Sequence, residues 1–194
     1  MPHVFNPQSF RKLENPERRK LLPATKLLRG FGLHSGHIMV DVGAGTGYFV
    51  LPAKTIVGSK GKVIAVDGSK EMLSMLRQRA RARHKTIQII NAKASATKLP
   101  TDSADVVLLS FVLHEVPSPA AVLREARRLL KPGGALAVIE WKPRGAQQGP
   151  PLSERIAIKE ARTMMRDAGF TGSAAASLNP FHYSVTAVKA AARN

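Results

Sequence analysis

Apolar and polar residues alternate in blocks along the chain, and the pattern predicts strands. Short runs rich in Val, Ile and Leu are each bounded by Gly, Asp or Ser, which is typical of buried strands. Five such runs cover residues 37–42, 63–66, 86–90, 105–112 and 135–141. Two later segments, 174–178 and 183–190, predict a closing pair of strands.

Between these strands the apolar residues recur at helical spacing. Residues 46–56 and 158–168 predict helices, and Ser69 and Ser118 are suited to cap two more. The helix after Ser118 is expected to include Leu130 and to stop at the Lys131–Gly134 segment. Strict alternation of strands and helices predicts an α/β fold with a mostly parallel sheet and helices on both faces.

Residues 1–36 are polar and basic, and they predict a helical cap ahead of a single domain spanning residues 37–194. Asn15 can cap a helix whose first position is Pro16. Four leucines, at 21, 22, 27 and 28, offer that helical region an apolar face, and Gly30 and Gly32 are expected to end it.

Composition excludes several classes of protein. The chain has 194 residues and no Cys, which removes disulfides, Cys-ligated zinc and thiol nucleophiles. The six His show no helical pairing, so no metal site is expected. The longest nearly apolar stretch, 106–113, is too short to span a membrane, and the first residues do not resemble a secretory signal. A soluble, cytoplasmic protein is therefore expected.

The strongest local signal is a glycine loop after the first predicted strand, Val40-Asp-Val-Gly-Ala-Gly-Thr-Gly47. Such a turn lets the backbone approach a ligand closely. A dinucleotide fingerprint would need its third glycine at Tyr48, and no Gly-Lys-Ser/Thr phosphate loop follows. Asp41, two residues before the first glycine, suits a cationic ligand and disfavours a pyrophosphate.

A second acid, Asp67, ends the second predicted strand, where carboxylates accept hydrogen bonds from ribose hydroxyls. One ligand combines a cationic amino-acid end with an unphosphorylated ribose, and that ligand is S-adenosylmethionine. The alternative is that Asp41 and Asp67 serve only as turn or cap residues.

These residues resemble the class I S-adenosylmethionine-dependent methyltransferases, and among them the small ubiquinone/menaquinone-biosynthesis type (methyltransferase domain 11/25-like). Further matching motifs are Leu99-Pro100, Asp105-Val-Val107, Leu113-His-Glu-Val116 and Arg128-Leu-Leu-Lys-Pro-Gly-Gly134. The resemblance implies a Rossmann-like fold with a seven-stranded sheet in the order 3-2-1-4-5-7-6, strand seven being antiparallel. It implies S-adenosylmethionine as cofactor, S-adenosylhomocysteine as product, and no metal.

The resemblance also assigns cofactor-binding residues. Asp41 would hold the methionine ammonium, and Asp67 the ribose. The other implied contacts are Gly43, Gly45 and Gly47 beneath the cofactor, Gly68 and Met72 at the adenine, and Ser110 at the methionine end. Where the family commonly has Gly-Asp-Ala, this chain has Ala94-Ser95-Ala96, so Ser95 and Ala96 would meet the adenine without a charge.

Catalytic and substrate residues are expected near the ends of the fourth and fifth strands. His114 is the candidate general base; alternatively it hydrogen-bonds a loop and supports Ser110. Glu140 and Trp141 are candidate substrate contacts, although Trp141 could equally belong to the core. His182 and Tyr183 are candidates for the pocket rim, with strand packing as the alternative.

The chain is strongly basic, with 30 Lys and Arg against 13 Asp and Glu, and a net charge of +17. Arginines at 77, 79, 81 and 83 spread around a predicted helix, which favours a solvated surface over a nucleic-acid stripe. An acidic substrate or a membrane surface is a further alternative.

The interpretation is a methyltransferase acting on carbon or oxygen of a small organic acceptor. An RNA or protein methyltransferase of the same fold is an alternative, and so is a non-catalytic S-adenosylmethionine-binding module. The sequence leaves the oligomeric state open.

Overall fold

A seven-stranded sheet forms the centre of the fold in the computed structural model, which describes residues 16–144 and 149–191. The strands are β1 (Ile38–Val42), β2 (Lys62–Asp67), β3 (Gln88–Asn91), β4 (Ala104–Ser110), β5 (Leu130–Trp141), β6 (Phe170–Ser177) and β7 (His182–Lys189). Their order is β3-β2-β1-β4-β5-β7-β6. The first five strands run parallel, and β7 is antiparallel to both neighbours. The predicted fold class, strand order and antiparallel strand are confirmed.

Six α-helices and a short 3₁₀ turn connect the strands in the described part of the chain. They are α1 (Pro16–Leu21), α2 (Ala24–Gly30), α3 (Val50–Val57), α4 (Lys70–Arg81), α5 (Pro119–Leu129), the 3₁₀ turn Leu152–Glu154, and α6 (Ile158–Asp167). Both predicted serine caps form. Ser69 Oγ accepts from the Met72 amide at 3.2 Å, and Ser118 Oγ accepts from the Ala121 amide at 3.3 Å.

The sheet is buried on both faces. Alternate residues of β4 point to opposite sides, so that Val107 and Leu109 pack with α5 and α6, while Val106 and Leu108 pack with α2, α3 and α4. Burial on both faces explains why β4 reads as a continuous apolar run in the sequence.

Three sequence predictions need correction. The helix expected from residue 46 begins at Val50, because the glycine turn continues through Gly47, whose φ is +87°. Leu130 belongs to β5 and not to the preceding helix, because its backbone pairs with Ala104 of β4. The N-terminal helical region consists of two helices, because Pro23 cannot continue the first one.

Two predictions about organisation are untested. The cap helix starts at Pro16 as expected, whereas Asn15 and the rest of residues 1–15 lie outside the described residues. The division into residues 1–36 and 37–194 stays a prediction. Within the described ranges, no helix combines the length and the apolar character needed to cross a membrane.

Candidate functional site

The carboxyl ends of the parallel strands bring the predicted site residues to one edge of the sheet. Asp41 lies in β1, Asp67 and Ser110 end β2 and β4, and Glu140 lies at the end of β5. The strand order reverses between β1 and β4, which leaves a crevice at the carboxyl ends of these two strands. Open α/β sheets bind their ligands in a crevice of this kind.

Asp41 is a buried carboxylate with an unsatisfied oxygen. Its side chain is only 2% exposed, and Oδ1 has no hydrogen-bond partner. Burial and then the charge of Asp67 raise the pKa of Asp41 to about 7, while Arg18 acts in the opposite direction. A carboxylate in this state gains a large stabilisation from a bound cation.

Asp67 fixes the loops on both sides of the crevice. Its Oδ2 accepts from the Gly45 amide and its Oδ1 from the Ser69 amide, each at 2.8 Å. The Asn91 side chain donates to the carbonyls of Asp67 and Gly68, both at 2.9 Å. Because each carboxylate oxygen can accept a second hydrogen bond, Asp67 can still receive a ligand hydroxyl. The sequence did not reveal this loop-fixing role, since Gly45 lies 22 positions away.

The glycines of the site fall into two groups. A Cβ added to Gly45 or Gly68 would meet no atom within 4 Å, so these two residues border open space. A Cβ on Gly43 would lie 2.3 Å from Val112 Cγ2, and one on Gly47 would lie 2.3 Å from Leu76 Cδ1. Gly43 and Gly47 are therefore required by packing as well as by their positive φ.

The remaining predicted cofactor residues differ in exposure. Met72 is buried on α4, and Ser110 Oγ is buried with no hydrogen-bond partner. Ser95 and Ala96 are exposed, and Ala96 pairs with Lys93 in an isolated bridge. Asp41 and Ser110 thus each present an unsatisfied oxygen in the same part of the fold.

His114 is held by Glu140 in a buried pair. His114 Nδ1 lies 2.7 Å from Glu140 Oε2, and Nε2 lies 3.7 Å from Glu115 Oε1. Burial lowers the pKa of His114, but the hydrogen bond and charge of Glu140, with the charges of Glu115 and Glu154, outweigh it and raise the pKa above its ordinary value. The prediction that His114 contacts a neighbouring loop and the prediction that it is a base are both compatible with this geometry.

Glu140 differs from its predicted role as a substrate contact. It is fully buried, and Oε1 accepts from the Leu113 amide at 3.0 Å while Oε2 binds His114. Its hydrogen bonds are with the chain itself, so it positions the β4 end and the imidazole.

Tyr183 also differs from its predicted place at the rim. It is 0% exposed in the core, and its hydroxyl donates to the Ile156 carbonyl at 2.8 Å. Burial first, and then nearby carboxylates, raise the pKa of its phenol, so it is neutral. Strand alternation explains the outcome, because His182 and Tyr183 point to opposite faces of β7.

His182 belongs to a cluster of three rings that also contains Phe111 and Trp141. Ring centroids are 4.3 Å apart for Trp141 and His182, 5.1 Å for Phe111 and His182, and 5.4 Å for Phe111 and Trp141. Neither nitrogen of His182 has a hydrogen-bond partner. Burial, and then the positive charges of Arg18, Arg155 and Lys142, lower the pKa of His182 to about 4, so the ring is neutral.

Helix α1 contacts the residue that follows the glycine loop and one ring of the three-ring cluster. Tyr48 follows the glycine loop, and its hydroxyl donates to the carbonyls of Leu22 at 2.6 Å and Arg18 at 3.2 Å. The Arg18 guanidinium lies 4.4 Å from the Tyr48 ring centroid and 5.7 Å from that of Phe111. Helix α1 therefore joins the glycine loop to the three-ring cluster. This contact could not be predicted from the sequence, because Arg18 and Tyr48 lie 30 positions apart.

Residues 40–138, more than half of the chain, match the family described as "Methyltransferase domain". The chain belongs to the class I S-adenosylmethionine-dependent methyltransferases. The matched segment contains the glycine loop, Asp67, Ser110 and His114, and it ends before Glu140.

Curated relatives of the ubiquinone/menaquinone type match the same region. The ubiquinone/menaquinone biosynthesis C-methyltransferase UbiE of Pasteurella multocida (strain Pm70) is 35% identical over 112 residues, covering 57% of this chain and 42% of that protein. The UbiE of Escherichia coli O1:K1 / APEC is 33% identical, covering 57% of this chain and 45% of that protein. The chain thus spans less than half the length of these relatives.

Solved structures match nearly the whole chain. A SAM dependent methyltransferase from Aquifex aeolicus is 30% identical with a TM-score of 0.90, covering 96% of this chain and 100% of the other. The [4+2]-cyclase SpnF has a TM-score of 0.73 at 20% identity, covering 87% of this chain and 80% of the other, and this likeness shows the fold alone.

In the two described ranges, no three His, Asp or Glu side chains lie together in a way that could hold a metal ion. The expected lack of a metal stays a prediction.

Proposed function

We propose that the protein transfers a methyl group from S-adenosylmethionine to carbon or oxygen of a small, planar organic acceptor. The observation that carries the proposal is the unsatisfied, buried Oδ1 of Asp41 beside a glycine loop that borders open space at Gly45. A buried carboxylate without a partner is costly unless a ligand pairs with it. The ammonium group of S-adenosylmethionine is such a ligand.

The other residues of the crevice fit the rest of this cofactor. We propose that Asp67 receives the ribose hydroxyls through its remaining lone pairs, and that the cofactor passes over Gly45 and Gly68. Gly43 and Gly47 shape the loop beneath it. Met72, Ser95 and Ala96 would meet the adenine, and Ser110 Oγ the methionine end. When bound, the cofactor supplies a methyl group on a sulfonium, which is already an activated leaving group.

The acceptor would rest against the three-ring cluster at the ends of β4 and β5. Phe111, Trp141 and His182 offer flat faces, and the Arg155 guanidinium lies 5.4 Å from the Trp141 ring centroid. Arg18 and Arg155 provide positive charge at this place, which stabilises an acceptor that has lost a proton. Methylation at carbon or oxygen proceeds most readily from such an electron-rich form.

His114 would remove the proton of the acceptor through Nε2. Glu140 holds Nδ1, which fixes the orientation of the ring and makes the imidazole more basic. Most of the remaining acceleration would come from holding the acceptor in line with the methyl group, and such positioning is worth roughly 7–11 kcal/mol at best.

The other acceptor classes stay alternatives. RNA and protein are larger acceptors of the same chemistry, and a non-catalytic binder would use the same cofactor contacts. The likeness to a cyclase illustrates that the fold also occurs in a protein named for another reaction. A cytoplasmic location also remains a prediction.

The test is incubation of the protein with methyl-labelled S-adenosylmethionine and fractionated cell extract. We expect label in the small-molecule fraction, and none with Asp41→Asn. Label in RNA or protein would overturn the proposed acceptor class. Cofactor binding without label in any fraction would favour the non-catalytic module.

A further inference from the structure

A second cavity system lies behind the glycine loop, between α2, α3 and α4. Two adjoining cavities of about 790 and 340 Å³ share the residues Thr25, Arg29, Leu51, Pro52 and Arg83. Together they form one elongated depression, which we call the basic groove. Its walls contain none of Asp41, Ser110, His114 or the three-ring cluster, and of the residues proposed to bind the cofactor they include only Gly47.

The lining of the basic groove carries positive charge only. Among the described residues, the lining contains no Asp or Glu and six cationic residues: Arg19, Lys26, Arg29, Arg79, Arg83 and Lys85. Elsewhere in the described chain several acids are paired with bases, as Asp105 is with Lys131 and Glu125 with Arg128. The groove therefore concentrates positive charge in one depression of the surface.

The alternating arginines spread around α4, as the sequence predicted, and two of them meet cations from other elements. Arg79 and Arg83, four positions apart, line the groove, whereas Arg77 and Arg81 do not. The other cations come from α1, α2 and the segment after α4, which are far apart in the sequence. Tertiary packing therefore assembles a basic surface that the pattern of one helix did not predict.

Hydrogen bonds hold two of the cationic side chains against the walls. The Arg79 guanidinium donates to the Thr46 carbonyl at 2.8 Å and to Thr46 Oγ1 at 3.0 Å. Lys85 Nζ donates to Thr55 Oγ1 at 2.8 Å. Cations that are already positioned lose less conformational entropy when an anion binds.

We propose that the basic groove binds the phosphodiester backbone of a single-stranded nucleic acid. Lys and Arg that neutralise successive phosphates release counterions, and this release drives binding. A concave groove that gathers cations from several elements matches a flexible chain of phosphates, which can follow a depression between helices. This function goes beyond the proposed methyl transfer and does not require it.

The residues that line the groove also indicate which part of the nucleic acid it would contact. Among the described lining residues Tyr48 alone is aromatic, and the Arg18 guanidinium already lies 4.4 Å from its ring centroid. Stacking of bases on aromatic side chains would therefore contribute little to the binding free energy. The groove would contact the phosphodiester backbone, with little preference for sequence. An anionic membrane fits less well, because the exposed large apolar residues among those described, Leu152 and Val188, lie outside the groove.

The test compares two triple variants of the full chain that remove equal charge. Lys26→Gln/Arg29→Gln/Arg83→Gln changes the groove, and Lys70→Gln/Arg77→Gln/Arg81→Gln changes exposed positions of α4 outside it. Binding of a short fluorescent oligouridylate is measured by anisotropy between about 50 and 200 mM salt. Calorimetric binding of S-adenosylhomocysteine and thermal unfolding monitor the cofactor site and the fold separately.

For the groove variant we expect an affinity at least about tenfold weaker at low salt and a log–log salt slope shallower by about 2, at about 0.7 for each lost contact. The control variant should keep the slope of the wild type. Equal losses in both variants would overturn the proposal, because net charge alone would then explain binding. So would the absence of wild-type binding, or groove-dependent binding to phosphatidylserine vesicles with no groove-dependent binding to the oligonucleotide.

Discussion

His114 and Glu140 join the ends of β4 and β5 through a contact of 2.7 Å between Nδ1 and Oε2. The other oxygen of Glu140 accepts from the Leu113 amide, so one buried carboxylate fixes both the backbone and the imidazole. This arrangement leaves Nε2 as the nitrogen through which His114 can exchange a proton with an acceptor.

The pH dependence of methyl transfer tests this pair. Glu140 raises the pKa of His114, so the neutral, basic form of the wild type is reached only above the ordinary pKa of His. Glu140→Gln removes the charge, and we expect the acidic limb of the kcat profile to move to lower pH. His114→Asn should remove the limb and lower kcat about 10²-fold or more. A limb that stays in place in Glu140→Gln would assign it to another group.

The raised pKa of the buried Asp41 carboxyl predicts that cofactor binding is coupled to proton release. Its pKa is raised to about 7 without a ligand, mainly by burial, and a bound ammonium would lower it. Below that pH, binding of S-adenosylmethionine should therefore release a proton, and affinity should rise with pH up to about 7. Calorimetry at a pH below the pKa of Asp41, in two buffers of different ionisation enthalpy, measures the number of protons released. Asp41→Asn should release none, and an equal release from this variant would contradict the assignment.

Replacement of Asp67 by Ala should affect both binding and stability. Two backbone amides lose their acceptor, at about 1 kcal/mol each, and the cofactor would lose the ribose contacts proposed for Asp67. We expect at least about tenfold weaker cofactor binding together with a lower melting temperature. Asn91→Ala, which removes the neighbouring donor but keeps the carboxylate, is the control. Unchanged cofactor affinity in Asp67→Ala would place Asp67 outside the site.

Substitution by alanine should have different effects on stability and cofactor affinity in the two groups of glycines. Gly47→Ala puts a methyl group 2.3 Å from Leu76 Cδ1 and should destabilise the fold. Gly45→Ala meets open space, so its stability cost should be limited to about 1–2 kcal/mol from its positive φ. The methyl group would, however, enter the space proposed for the cofactor. We expect Gly45→Ala to lose cofactor affinity while remaining folded. Retained affinity would contradict the proposal that the cofactor passes over Gly45.

The sequence predicted the fold well because its signals were local. Apolar runs, serine caps at Ser69 and Ser118, and the alternation of strands and helices all lie within short windows. The errors arose where distant contacts decide the outcome. Leu130 becomes a strand residue through its pairing with β4, and the helix expected from residue 46 is delayed to Val50 because Gly47 has a positive φ.

The candidate site was predicted less completely. The positions of Asp41, Asp67 and Ser110 at one edge of the sheet could be predicted because strand ends can be placed from sequence, whereas their roles in cofactor binding stay predictions. The substrate-contact roles of Glu140 and Tyr183 stay predictions. Glu140 is buried with hydrogen bonds to His114 and Leu113, and Tyr183 follows the strand-packing alternative. The contact of Trp141 with His182 follows from the antiparallel register of β5 and β7, which a strand order alone does not specify.

Calorimetric titration with S-adenosylmethionine, S-adenosylhomocysteine, NAD and ATP tests the central claim most directly. Asp41 suits an ammonium and the loop lacks the third glycine of a dinucleotide site, so we expect both sulfur ligands to bind with one site per chain. NAD and ATP should bind far more weakly, and Asp41→Asn should lose most of the affinity for the sulfur ligands. NAD binding comparable to that of S-adenosylmethionine would contradict the account.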